Sequence, residues 1–280
     1  MSKAIRVLRG RFGRVALLDM NQPLVEHAHH HCHVLIKSFG HDTGFLVGGE
    51  FRHLTDDTAV LINAWEPHCY AHQSGAPETV ILALYIEPRW LMGADHKLFG
   101  GPVSTFFANR QAHISPYARH LVRLLSDLIL DSAVIDTEEL EALLFSLMMA
   151  MIDRSALAGT AKSLRAVSDY RIRRAIAHLR DHVGSRLAVD EVARVAGLSR
   201  PHFFTLLRRS TGLSPGLFVN VLRMEEAIRR LSIGQQPVID MTFDLGFEAQ
   251  SNFTRFFRQH QGVAPTEFRR AVDLVGLGLP

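Results

Sequence analysis

Two cysteines, Cys32 and Cys69, are too few for a disulfide framework, and without a C-x-x-C they form neither a zinc knuckle nor a redox pair. Long apolar runs are missing as well. The richest stretch, Leu143 to Ile152, is far shorter than the ~18 residues a membrane-spanning helix needs. The start, Met1-Ser2-Lys3-Ala4-Ile5-Arg6, leads into arginines rather than an apolar segment, so no secretory leader is expected, and the chain reads as cytoplasmic. There is no Gly-rich phosphate loop, no nucleophile elbow and no H-E-x-x-H, so the sequence predicts no enzyme and no cofactor. What is present, 47% hydrophobic and 21% charged residues, excludes a disordered or collagenous chain and suffices for one large domain or two small ones.

Charge divides unevenly. Residues 1–160 carry a balance of −4 and residues 161–280 one of +7; Lys162 is the only lysine in the second part, the other seventeen cations being arginines. Arginine presents a planar fork that grips phosphate or guanine at two points, so the basic half points to an anionic polymer. Histidine is skewed the other way, with nine of sixteen between His27 and His72. Two halves of different polar chemistry imply two domains.

From about residue 12 to 88 short β-branched runs alternate with turn signals. Arg14–Leu18, His33–Lys37, Gly44–Val47, Thr58–Ile62 and Thr79–Ile86 read as strands, separated by Asn21-Gln22-Pro23, Gly40-His41-Asp42, Gly48-Gly49, Asp56-Asp57 and Ser74–Pro77. That spacing predicts an antiparallel barrel or sandwich. After Gly100-Gly101-Pro102 the period becomes helical. Ser115-Pro116 opens a helix through Leu121, Leu124, Leu125 and Leu128, and Thr137-Glu138-Glu139 opens another with Leu140, Leu143, Leu144, Leu147, Met148 and Met151 as its stripe. These helices suit packing on their own barrel or on a second copy. A small polar linker, Gly159 to Ser163, follows, and everything beyond it reads as helical.

An internal repeat carries the strongest signal. Leu187 to Gly197 aligns with Gln236 to Gly246 at an offset of 49, and Phe203, Leu207-Arg208, Gly212 and Pro215 align with Phe253, Phe257-Arg258, Gly262 and Pro265 at an offset of 50. Each copy is a short helix, a glycine turn and a second helix ending in glycine, the helix-turn-helix pattern whose second helix can enter a major groove. A small residue before the turn, Ala193 or Thr242, permits a close helix crossing. Ser199, with Pro201, is placed to cap the first reading helix. A connecting helix from about Pro215 to Leu231 would act as a rod of about 25 Å between two reading heads, against ~34 Å between successive groove faces.

The segment Asp169 to Ala271 resembles the DNA-binding domain of AraC/XylS-type transcriptional regulators. The likeness rests on Gly246-Phe247, Ser251 to Arg258 and Gly262 to Arg269. Thr205, where the family often has arginine, and Thr242, where alanine is usual, depart from the pattern. The resemblance implies a promoter duplex and RNA polymerase as partners. In the second unit Gln250, Ser251, Asn252, Thr254 and Arg255 are placed for the groove: Arg255 can fork onto guanine, Asn252 onto adenine, and Gln250 or Ser251 onto a phosphate or base edge. In the first unit Arg200, His202, Thr205, Arg208 and Arg209 are the exposed candidates, and Phe204 either touches a thymine methyl or belongs to the core. Arg208, Arg209 and Arg258 suit phosphates better than bases.

His27, His29, His31 and His33 alternate, so on a strand they would share one face; His68 follows Ala64-Trp65-Glu66-Pro67. The H-x-H and the later histidine resemble the two cupin motifs, and small cupin barrels are common amino-terminal sensors in the AraC family. The glutamate that completes a metal cupin site is missing: Val34-Leu35-Ile36-Lys37 follows, and Glu50 lies too far along. Three readings stay open for these histidines. One is a metal enzyme site built from imidazoles alone. Another is a pocket in which His29, His31, His33 and His68 meet a small-molecule effector walled by Phe45, Trp65 and Tyr70. The third is simple packing at the barrel mouth.

The expectation is therefore an α+β chain. Residues 1–105 form a cupin-like effector-sensing antiparallel β-barrel, residues 106–158 a helical dimerisation segment, and residues 167–280 an all-α double helix-turn-helix domain. It would work as an effector-controlled homodimer without metal; a metal-dependent cupin enzyme and a constitutive DNA-binding protein are the alternatives.

Overall fold

The computed structural model describes residues 2–73, 75–94, 106–131, 133–152, 169–184 and 189–276. The turn residues cut the amino-terminal half into strands β1 Lys3–Gly10, β2 Gly13–Met20, β3 Cys32–Gly40, β4 Thr43–Val47, β5 Glu50–Leu54, β6 Thr58–Ile62, β7 His68–Tyr70, β8 Thr79–Ile86 and β9 Gln111–His113. A last strand, β10 Val272–Leu274, comes from the other end of the chain. The large sheet runs β10-β1-β2-β8-β3-β6-β9 and the small one β5-β4-β7, antiparallel except for β10 beside β1.

The long strands are apolar on both sides, and the packing says why. Leu35, Ile81, Ala83 and Tyr85 face Phe45, Val47, Leu54 and Tyr70 of the neighbouring strands in one core. Val34, Ile36, Leu82, Leu84 and Ile86 point the other way. They meet the helices α2 Pro116–Asp131 and α3 Thr137–Met151, which follow a short α1 at Pro88–Ala94. The Ser115 hydroxyl oxygen accepts from the Ala118 N–H, and Asp136 caps α3 by accepting from the Glu138 and Glu139 N–H groups. Leu121, Leu125 and Ile129 of α2 and Leu140, Leu144 and Leu147 of α3 pack on this chain's own sheet, while Tyr117, Leu124, Leu130 and Val134 stay exposed.

The carboxy-terminal half contains α4 Tyr170–Asp181, α5 Val189–Val195, α6 Arg200–Thr211, α7 Pro215–Ile233, α8 Val238–Asp244, α9 Gln250–Gln261 and α10 Pro265–Ala271. The expectation of helix all the way to the end is corrected at β10. Strand β1 is otherwise an edge with unpaired backbone groups, and Val272–Leu274 pair with Val7–Arg9 to satisfy them. The Val275 N–H donates to the Arg9 carbonyl at 2.8 Å, and Arg6 meets Asp273 at 2.8 Å. The two halves also share core: Val7 and Ala16 pack with the second helical unit, and Ala28 with the first. The linker residues 159–163 and the turn at 100–102 lie outside the described residues. Among the described residues no helix is long and apolar enough to cross a membrane.

Candidate nucleic-acid interface and histidine cluster

The repeat seen in the sequence recurs bond for bond. The Leu198 N–H donates to the Ala193 carbonyl at 2.9 Å, and the Phe247 N–H to the Thr242 carbonyl at 3.0 Å. The second helices of the two units, α6 and α9, both end on a left-handed glycine, Gly212 at φ 79° and Gly262 at φ 78°, each bonded to an arginine carbonyl one turn back at 2.8 Å. Only a residue without Cβ takes that conformation cheaply. Ala193 and Thr242 are buried at the helix crossings, and the extra Thr242 hydroxyl is satisfied by the Val238 carbonyl at 2.9 Å. Ser199 occupies the cap position of α6, but its side chain makes no capping bond.

Helix α7 joins the units as one body. Phe218 and Val221 at its start belong to the first core, and Met224, Ala227, Ile228 and Leu231 further along to the second. Its 19 residues span about 28 Å. With Phe203 and Leu207 buried on α6, the opposite face leaves Arg200, His202, Phe204, Thr205, Arg208 and Arg209 exposed. Phe204 therefore lies on the outer face, with the Arg200 guanidinium 5.7 Å from its ring. On α9, Phe253 and Phe257 are buried while Gln250, Ser251, Arg255 and Arg258 are exposed, with Asn252 and Thr254 half-buried beside them. Arg255 donates to the Asn252 amide oxygen at 3.0 Å, so these two polar side chains present as a pair. A groove along this face is lined on its other side by Gln22 and Pro23 of the barrel.

The histidines do not follow the single-strand expectation. Strand β3 begins only at Cys32; residues 27–31 form a loop bridged to β7 at His27 and His68. His27, His29, His33 and His68 are buried together, ring centroids 4.3 Å apart for His27–His68 and 4.9 Å for His29–His33 and His29–His68. Burial, and then the neighbouring imidazoles, hold His27, His29 and His33 well below the ordinary histidine range; burial lowers His68 to about 4. These four are neutral at pH 7.

His30 and His31 turn to another neighbourhood. His30 Nε2 lies 3.2 Å from Glu87, and its Nδ1 3.6 Å from Glu225 of α7. Burial pulls His30 down, but the two carboxylates outweigh it and raise it to about 9. His31, more enclosed, is lowered by burial to about 4 despite Glu225 at 3.7 Å.

The seven residues expected around an effector therefore divide. His29, His33 and His68 come together, and His31 faces Glu225. Trp65 leaves the barrel to stack on Phe218, and Phe45 and Tyr70 pack on each other, 5.1 Å apart, in the inter-sheet core. The cavity beside His27 and His29 is about 10 Å³, the space of a single water. Its other wall comes from the helical half, including Asn220, Glu225 and His260. Glu225, His260 and Arg14, whose guanidinium sits 3.8 Å from the Tyr85 ring centroid, were not singled out by the sequence. Each looks like an ordinary helix or strand residue until the halves meet.

Residues 192–271 match the family model described as a helix-turn-helix domain. The chain is 25% identical over 252 residues to the HTH-type transcriptional activator RhaS of Escherichia fergusonii, covering 88% of each protein. It is 25% identical over 111 residues to an uncharacterized HTH-type transcriptional regulator of Haemophilus influenzae, a match spanning 40% of this chain and only 37% of that one. In fold it is similar to the apo form of a ToxT point variant from Vibrio cholerae, with a TM-score of 0.58 at 13% identity over 92% of this chain and 97% of that one. Residues 192–271 are thus a helix-turn-helix domain, and the strand-rich amino-terminal half joined to the paired helical units is similar in fold to that ToxT structure.

Proposed function

We propose that this chain is an AraC-type transcriptional regulator that grips a promoter duplex through both of its helix-turn-helix units at once, and that its amino-terminal domain sets how well it does so. The observation that carries the proposal is the pair of identically built units on one stiff helix, each with a buried aromatic or leucine face and an exposed Arg-rich one. Arg255 and Asn252 read bases in the second unit, helped by Gln250, Ser251 and Thr254, while Arg258 holds phosphate. In the first unit Arg200, His202, Phe204 and Thr205 face the groove and Arg208 and Arg209 the backbone. A second copy would dock on the exposed Tyr117, Leu124, Leu130 and Val134 of the helical segment, and RNA polymerase would be the downstream partner.

The effector acts where the halves touch rather than inside the barrel. The one-water cavity at the histidines leaves no room for an organic substrate, so the proposal includes no catalysis. Selection of duplexes from a random pool by the full-length chain, followed by titration of the winner against scrambled competitor at moderate salt, tests the reading. A specific site of two half-sites about one helical turn apart is expected; equal affinity for winner and competitor sinks it.

A further inference from the structure

Three of the buried imidazoles are wired alike. The Nδ1 of His27 lies 2.9 Å from the Val25 carbonyl, that of His68 2.8 Å from the Glu66 carbonyl, and that of His29 3.2 Å from the His31 carbonyl. A carbonyl can only accept, so each Nδ1 carries the proton and each Nε2 is left with its lone pair. This is the arrangement by which proteins hold histidines that ligate metal: the outer nitrogen fixes tautomer and ring, and the inner one points to the ion. One ring nitrogen from each of the three lies within 4.8 Å of the others. Around a tetrahedral ion at ~2.0–2.1 Å the nitrogens would stand roughly 3.4 Å apart, so the rings need to close by up to about 1.4 Å.

A second observation points the same way. The Nε2 of His68, on a side chain only 2% exposed, has no hydrogen-bond partner among the described residues. A buried nitrogen acceptor left empty in a nearly dry site is costly, and a cation would satisfy it. The cupin pattern would add a glutamate from β3, yet Cys32–Gly40 contains none, so the usual four-ligand set does not fit. The His27–His29–His68 set does.

We propose that His27, His29 and His68 form a site for one divalent transition-metal ion, and that the ion is the regulator's effector. The second half of this proposal rests on the regulator reading given above; the first does not. Three neutral nitrogens and no carboxylate favour the zinc, copper, nickel and iron(II) class over magnesium or calcium. On binding, His29 Nε2 exchanges the 2.8 Å bond it accepts from His33 for the metal. Arg14 opposes the added charge across the same cavity, and Glu225 on α7 offsets it.

The route to DNA is short. His27 sits 6.1 Å from His260 near the end of reading helix α9, ring centre to ring centre, and the Val25 N–H donates to the Gln259 carbonyl at 3.0 Å. Closing the three rings draws on the segment that carries both contacts, so the two states differ in how α9 is held against the barrel.

The full-length protein, stripped with chelator, is titrated with cobalt(II), followed by its visible bands, and separately loaded with zinc for elemental analysis. One ion per chain is expected, with the strong bands of a four-coordinate site of three imidazole nitrogens and a water, and at least a tenfold change in affinity for the selected duplex. His68→Asn and His27→Asn should each weaken cobalt more than about 100-fold, whereas His30→Asn, at the neighbouring His30–His31–Glu87 group, should leave it intact. Circular dichroism of each variant guards against misfolding, and the wild-type spectrum stands without them. Absence of a stoichiometric ion at micromolar metal, or loss in His30→Asn with retention in His68→Asn, overturns the site. A stoichiometric ion with no change in duplex affinity overturns the effector role, and duplex binding by the stripped protein reports separately on the regulator reading.

Discussion

The indole of Trp65 lies flat on the ring of Phe218, centroids 5.6 Å apart and planes within 9° of parallel. One ring belongs to the barrel and the other to helix α7. Trp65 also holds a positive φ of 66°, rare for any residue with a Cβ, and its N–H is anchored on the His29 carbonyl at 2.7 Å. A strained backbone kept for the sake of one stack implies that the stack matters to the seating of the halves. Trp65→Ala should lower stability by about 2 kcal/mol. Trp65→Gly, which relieves the φ, should recover part of that. Denaturant unfolding of the two variants checks the order, and in a Trp90→Phe background, which leaves Trp65 as the one indole, a shift of tryptophan emission to the red before global unfolding would locate the loosening at this contact.

Base readers and phosphate holders on α9 separate by their salt behaviour. Arg255, paired with Asn252 at 3.0 Å, faces outward at the middle of the helix, and Arg258 one turn later. Arg255→Ala should cost about 1–3 kcal/mol for the selected duplex and relax preference at one base pair. Arg258→Ala should weaken all duplexes alike and reduce the salt slope by about 1. Anisotropy titrations across a salt series distinguish them; equal losses on selected and scrambled duplexes for Arg255→Ala would return it to the phosphate class.

The helical repeat was legible because its determinants are local: a glycine, a small crossing residue and a Phe or Leu stripe fall at fixed offsets whatever surrounds them. Strand β3 and strand β8 were legible too, since burial on both faces makes them plain apolar runs. The pairing of Val272–Leu274 with β1 was not. Three residues have no measurable period, and their partners lie more than 260 positions away. The His27–His33 alternation misled for a related reason. A period of two speaks of faces only inside a strand, and here Ala28 is drawn into the helical core instead, leaving His31 on the side of Glu225. Which histidines share a site depends on packing between halves that no local pattern encodes.

The His30–Glu225 contact makes the seam between the halves sensitive to alkali. His30 is raised to about 9 by Glu225 and Glu87, which outweigh its burial, so its folded pKa exceeds the unfolded value of about 6.5. A raised histidine contributes fully below the unfolded value and loses the contribution as pH climbs through the folded one. Stability should therefore fall between about pH 6.5 and 9. The ring is 36% exposed, so screening limits the loss to about 1 kcal/mol. His30→Gln should flatten this limb of the melting-temperature profile; an unchanged slope would assign the alkaline loss elsewhere.

Removing the last strand tests whether the halves are held by the sheet as well as by side chains. Truncation after Ala271 deletes the three β10 residues that pair with Val7, Leu8 and Arg9, and with them the Arg6–Asp273 ion pair and the Val275 bond to Arg9. Strand β1 then regains a bare edge, a template for pairing with other chains. The expected result is a protein in which amide exchange on β1 and on α10 rises together, because α10 leads directly into the strand and Phe268 shares a core with Val7. Exchange that rises on β1 alone would mean that Phe268 and its neighbours hold the second unit in place without the strand, and that the seam is carried by Trp65, His30 and the Val25–Gln259 bond.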